Sequence, residues 1–182
     1  MRFNLPNLLT LFRIALIPLF ILVFYLDVAW AAPGSALIFA LGGITDWVDG
    51  WLARTLGQTS RFGAFLDPVA DKLMVAAALI MLAGEDGSVW LTVPAVVIVG
   101  REIAVSALRE WMAEVGQRKR VAVSQLGKLK TTAQIAALLL LLYREPLLTL
   151  PVYAIGMVLL YVAAVLTLWS MLAYMRAALR EA

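Results

Sequence analysis

The chain has 182 residues, 63% of them hydrophobic, and a formal net charge of +3. Such an apolar fraction, well above the roughly 45–50% of a soluble domain, excludes an ordinary globular protein, and the continuous apolar runs exclude the alternating pattern of a transmembrane β-barrel. With no cysteine and no histidine, there is no disulfide framework, Ser-His-Asp triad, His-containing zinc site or phosphohistidine, so a general base is a carboxylate, lysine or tyrosine and a metal site uses oxygen ligands, which favours Mg²⁺ or Mn²⁺.

The apolar runs predict an all-α polytopic membrane protein of six transmembrane helices, with residues 1–182 forming a single membrane domain. The first helix, over residues 8–26, carries Arg13; it is too long for a signal peptide core and reads as an uncleaved span. After a breaker at Pro33-Gly34, the second runs over 35–54 and ends in Asp46-Trp-Val-Asp49-Gly50-Trp-Leu-Ala53-Arg54. The third, over 64–83, opens on Gly63-Ala-Phe-Leu-Asp67-Pro-Val-Ala-Asp71, and residues 84–88 form a turn. The fourth, over 89–112, carries Arg101 and Arg109. The fifth, over 131–143 and starting a turn or two earlier, follows Lys128 and Lys130; Glu145-Pro146 breaks it, and the sixth covers 151–176.

Basic residues set the orientation. Arg54, Arg61, Arg118, Lys119, Arg120, Lys128 and Lys130 flank the second and fourth loops, with Arg2 and Arg176 near the termini, whereas the first and third loops hold no Lys or Arg. By the positive-inside rule both termini face the cytoplasm. These charges sit at helix ends and form no basic face, which argues against a nucleic-acid partner and for contact with membrane lipids.

The chemistry concentrates in four aspartates. Asp46 and Asp49 are spaced i,i+3 and Asp67 and Asp71 i,i+4 on consecutive helices, so each pair shares a helix face and a short loop makes the helices antiparallel neighbours. Asp67 and Asp71 could instead be solvated residues near a helix start at Pro68, but Asp46 follows an apolar run, where a carboxylate costs at least about 2.5 kcal/mol. Four such groups repel one another and need cations; two divalent ions meet that need. Gly50, Ala53 and Gly63 leave room for a bulky group or for close helix packing. Arg54 suits a phosphate or anchors the helix end. Arg101 and Arg109 either meet an anionic acceptor or pair with Glu102, Glu110 and Glu114. Lys128 and Lys130 reach the same anion or hold anionic lipid. Thr10 and Arg13 close the site from the first helix.

The spacing Asp-x2-Asp-Gly-x2-Ala-Arg-x8-Gly-x3-Asp-x3-Asp, met here at every position from Asp46 to Asp71, resembles the signature of the CDP-alcohol phosphatidyltransferase family. Arg61–Lys72, Arg101-Glu102, Ser106–Glu114 and Lys128–Gln134 extend the likeness toward members that use a phosphorylated glycerol. The resemblance implies metal ligation by Asp46, Asp49, Asp67 and Asp71, with Asp71 also the general base. It implies a CDP site at Asp49, Gly50, Ala53, Arg54 and Gly63, and an acceptor phosphate site at Arg101, Arg109, Lys128 and Lys130. It further implies CDP-diacylglycerol and sn-glycerol 3-phosphate as substrates, a homodimer, and a place in a bacterial inner membrane with the site facing the cytoplasm. Two other readings stand at this point: a relative using serine, inositol phosphate or phosphatidylglycerol, and a metal-ion transporter. The first needs no extra arginines for serine; the second needs a path to both faces.

Overall fold

The computed structural model describes residues 5–55, 61–114, 125–145 and 150–179. They form six helices: α1 (Leu5–Phe24), α2 (Ala31–Thr55), α3 (Arg61–Asp86), α4 (Val89–Glu114), α5 (Gln125–Tyr143) and α6 (Val152–Leu179). Segments of α1, α2, α4 and α6 are long and apolar enough to cross a bilayer. The apolar part of α5, Leu129–Tyr143, is shorter, and α3 carries Asp67, Asp71 and Lys72 in its first half.

The helices close into a ring. α1 packs on α2 and α3, α2 on α5, α5 on α6, α6 on α4, and α4 on α3, while α3 also meets α2 and α5 across the middle. Inside lie Leu16, Phe20, Phe39, Leu79, Ile98, Leu138 and Leu160. Outside, Leu22, Trp47, Trp90, Ile103, Val158 and Trp169 are exposed, as a lipid-facing surface requires. The tightest joint is between α5 and α6. A Cβ on Gly156 would stand 2.9 Å from Leu141 Cγ, so only glycine admits this approach.

One expected break is absent. Pro33-Gly34 lies inside α2, which begins at Ala31; a proline in the first turn loses no intrahelical bond, because that N–H has no partner there. α3 begins at Arg61, so Pro68 lies within it and marks no helix start. The turn between α3 and α4 is shorter than the expected 84–88: residues 84–86 continue α3, and only Gly87 and Ser88 lie outside the helices. Gly87 has φ +64°, a conformation glycine adopts at no steric cost, and Ser88 Oγ accepts the Leu91 amide at 3.4 Å as the cap of α4. At this end of the bundle Arg144 pairs with Glu85 and sits 5.1 Å from the Phe24 ring centre, and Tyr153 donates to Asp86. The hydrogen bonds from Ser88 and Tyr153 hold the Asp86 carboxyl below the usual carboxylate range.

Candidate active site

At the opposite end, α1 inserts two buried polar side chains between the aspartates of α2 and α3. Arg13 donates from Nη1 to Asp46 Oδ1 at 2.6 Å and from Nη2 to Asp49 Oδ2 at 2.5 Å. Thr10, three residues earlier and so on the same face, donates to Asp67 Oδ1 at 2.5 Å and lies 3.5 Å from Asp49 Oδ2. Arg13 and Thr10 are each 1% exposed and Asp49 is 3% exposed. A buried guanidinium of this kind is held by its partners: removing one side of such a pair costs about 3–5 kcal/mol. Expected only to close the site from the first helix, these two residues stand among the carboxylates, bonded to three of the four.

Asp46, Asp67 and Asp71 line a cavity of about 400 Å³. Asp49 lies behind it, turned to Arg13 and Thr10. Among the described residues no three acidic side chains form a ready ligand set for a metal ion. The donor chemistry nevertheless suits a hard divalent cation: the ligating atoms are carboxylate oxygens, joined by one threonine hydroxyl. Arg13 pairs directly with two of the four carboxylates, Asp46 and Asp49.

The far wall of the cavity is cationic. Arg101, Glu102 and Arg109 from α4 and Lys130, Thr131 and Gln134 from α5 line it, and Lys72 of α3 adds a cation beside Asp71. Arg101 is both things the sequence allowed: it lines the cavity and it is ion-paired, donating to Glu102 Oε1 at 3.0 Å and to Ser170 Oγ at 2.9 Å. Lys130 donates to the same Glu102 oxygen. Glu102 therefore ties cations of α4 and α5 together, and Lys72 on α3 donates to Ser106, whose hydroxyl donates to the Glu102 carbonyl at 2.6 Å. A larger groove of about 630 Å³ between α3 and α4 adjoins the cavity and shares Pro68, Lys72, Val75 and Glu102 with it. Its remaining lining is mainly apolar, so the ionic chemistry belongs to the smaller cavity.

Of the expected nucleotide-site residues, Gly63 is buried and Gly50 half-buried. The side chains of Ala53, Arg54 and Lys128 lie outside the described residues. Sequence reasoning assigned no role in the site to Lys72, Ser106 or Gln134. The available signals were adjacency of Lys72 to Asp71 and the i,i+4 spacing of Lys130 and Gln134, which places the latter two on one face.

The family model for CDP-alcohol phosphatidyltransferase matches residues 3–169. The chain is 58% identical over 178 residues to the CDP-diacylglycerol–glycerol-3-phosphate 3-phosphatidyltransferase of Pectobacterium atrosepticum, covering 98% of this chain and 96% of the relative. It is 58% identical to that of Salmonella typhimurium and 57% identical to that of Escherichia coli, each over the same shares. With carboxylates on one wall of a single cavity, cations on the other, and this likeness along nearly its whole length, the chain belongs to the CDP-alcohol phosphatidyltransferase family.

Proposed function

We propose that the chain transfers the phosphatidyl group of CDP-diacylglycerol to sn-glycerol 3-phosphate, giving phosphatidylglycerophosphate and CMP. The observation that carries this reading is the two-sided cavity: Asp46, Asp67 and Asp71 face Arg101, Arg109 and Lys130 across one space. One side suits a nucleotide diphosphate with its metal ions, the other a phosphorylated acceptor. The close relatives carry the name of this reaction.

In this reading Asp46, Asp49, Asp67 and Asp71 hold two divalent ions, Mg²⁺ or Mn²⁺, which when bound neutralise the diphosphate and the charge that develops on it. Asp49, Gly50, Ala53, Arg54 and Gly63 seat the CDP moiety. Arg101, Arg109, Lys128 and Lys130 take the acceptor phosphate, with Glu102 fixing Arg101 and Lys130 in place. Asp71 accepts the proton of the primary hydroxyl as its oxygen attacks the phosphatidyl phosphorus. A phosphorus–oxygen bond forms, the bond to CMP breaks, and CMP leaves with that electron pair. Arg13 and Thr10 orient Asp46, Asp49 and Asp67. All six helices cross the bilayer, both termini lie in the cytoplasm, and the cavity opens to the cytoplasmic side of a bacterial inner membrane, where two copies pair.

The test is CMP release from CDP-diacylglycerol in mixed micelles, with glycerol 3-phosphate, serine, inositol phosphate or phosphatidylglycerol as acceptor. CMP is expected with glycerol 3-phosphate, to be abolished by excess chelator and restored by Mg²⁺ or Mn²⁺. Turnover with another acceptor in preference would overturn the acceptor assignment. Full turnover in excess chelator would overturn the metal assignment, and absence of CMP with every acceptor would leave the transporter reading standing.

A further inference from the structure

Gln134 is 4% exposed, and among the described residues its buried Oε1 has no hydrogen-bond partner. A buried amide oxygen is ordinarily paired, and leaving it unpaired is unfavourable. Gln134 also lines the cavity, with Lys130 and Thr131 of its own helix, Arg101 of α4 and Asp71 of α3. A carbonyl oxygen there asks for a donor. The acceptor phosphate brings only acceptor oxygens once ionised and is drawn to the cationic wall. The attacking hydroxyl gives its proton to Asp71. The donor that remains on a glycerol phosphate is its middle hydroxyl.

We propose that Gln134 is a specificity-determining residue of the acceptor site, whose Oε1 accepts a hydrogen bond from the C2 hydroxyl of the glycerol acceptor. The inference rests on the glycerol 3-phosphate reading given above and deepens it. The terminal torsion of a glutamine is broad, so the amide turns to meet a hydroxyl seated between Arg101, Lys130 and Asp71. Phosphate and C2 hydroxyl together then fix which end of the acceptor reaches Asp71. An oxygen left without its donor when the hydroxyl is missing makes the site reject the deoxy analogue, as buried polar groups built for a hydroxyl do.

The experiment compares sn-glycerol 3-phosphate with 3-hydroxypropyl phosphate, which lacks only the C2 hydroxyl, in the CMP release assay on the full chain. The unaltered chain is expected to prefer glycerol 3-phosphate in kcat/KM by about tenfold, the scale of one hydrogen bond to a buried group. Gln134→Leu removes the amide at similar size, and Gln134→Met serves if the leucine variant folds poorly. Each is expected to lose that factor with glycerol 3-phosphate, to keep the rate with the deoxy analogue, and to leave the KM for CDP-diacylglycerol unchanged. Preference for glycerol 3-phosphate thus vanishes in the variants. Preserved preference in folded variants, equal losses with both acceptors, or no preference in the unaltered chain overturns the proposal while leaving the enzyme assignment intact. No CMP from the unaltered chain with either acceptor overturns both.

Discussion

A single arginine on α1 organises the acidic group. Arg13 holds one oxygen of Asp46 and one of Asp49, so both members of the α2 pair are held from α1, and Thr10 does the same for Asp67. Asp71 is not among the acceptors of either residue, and it lines the cavity. That leaves Asp71 the carboxylate best placed to take a proton from a substrate. Asp71→Asn keeps the shape and removes the basicity. Turnover is expected to fall at least about a hundredfold, the scale of general-base catalysis, with the protein still folded in detergent. Bound metal, measured alongside, separates loss of the base from loss of an ion. Normal turnover by a folded Asp71→Asn variant would remove the base assignment.

At the scale of elements, α5 and α6 both carry partners of the cationic wall. Lys130 and Gln134 both project from α5, and Arg101 reaches across to Ser170 on α6. Gly156 is where α6 comes up against α5. An added Cβ would meet Leu141 Cγ at 2.9 Å and Leu140 Cβ at 3.2 Å, contacts that force the helices apart. Gly156→Ala is therefore expected to destabilise the bundle by about 1–3 kcal/mol, the scale of overpacking in a filled core. The readout is a lower thermal midpoint in detergent. An unchanged midpoint would mean that the joint yields freely. Helix centres were legible in the sequence because apolar runs of this length have few alternatives. Helix ends were not: Pro33 read as a boundary, yet a first-turn proline fits α2.

For the whole molecule, the two ends of the bundle differ in kind. One holds Asp46, Asp49, Asp67 and Asp71 with Arg13, Arg101, Arg109 and Lys130; the other is tied by Arg144 with Glu85 and Tyr153 with Asp86. This polarity gives a topological test. A reporter fused after residue 182 is expected in the cytoplasm, and one inserted within residues 84–88 on the opposite side, scored by activity in each compartment. The reverse result would place the cavity away from a cytosolic acceptor.

The sequence by itself determined the helical class, the family and the four aspartates, because spans and i,i+3 or i,i+4 spacings are local properties that need no knowledge of which helices touch. Only the tertiary structure decided that Arg13 and Thr10 stand among those aspartates, that Arg101 serves both an ion pair and the cavity wall, and that Gln134 lines one cavity with Asp71 of another helix. Arg13 and Asp46 are 33 residues apart, Arg101 and Ser170 69. Such partnerships arise from the order in which the ring of helices closes, and a hydrophobic pattern that makes each helix span does not encode its neighbours.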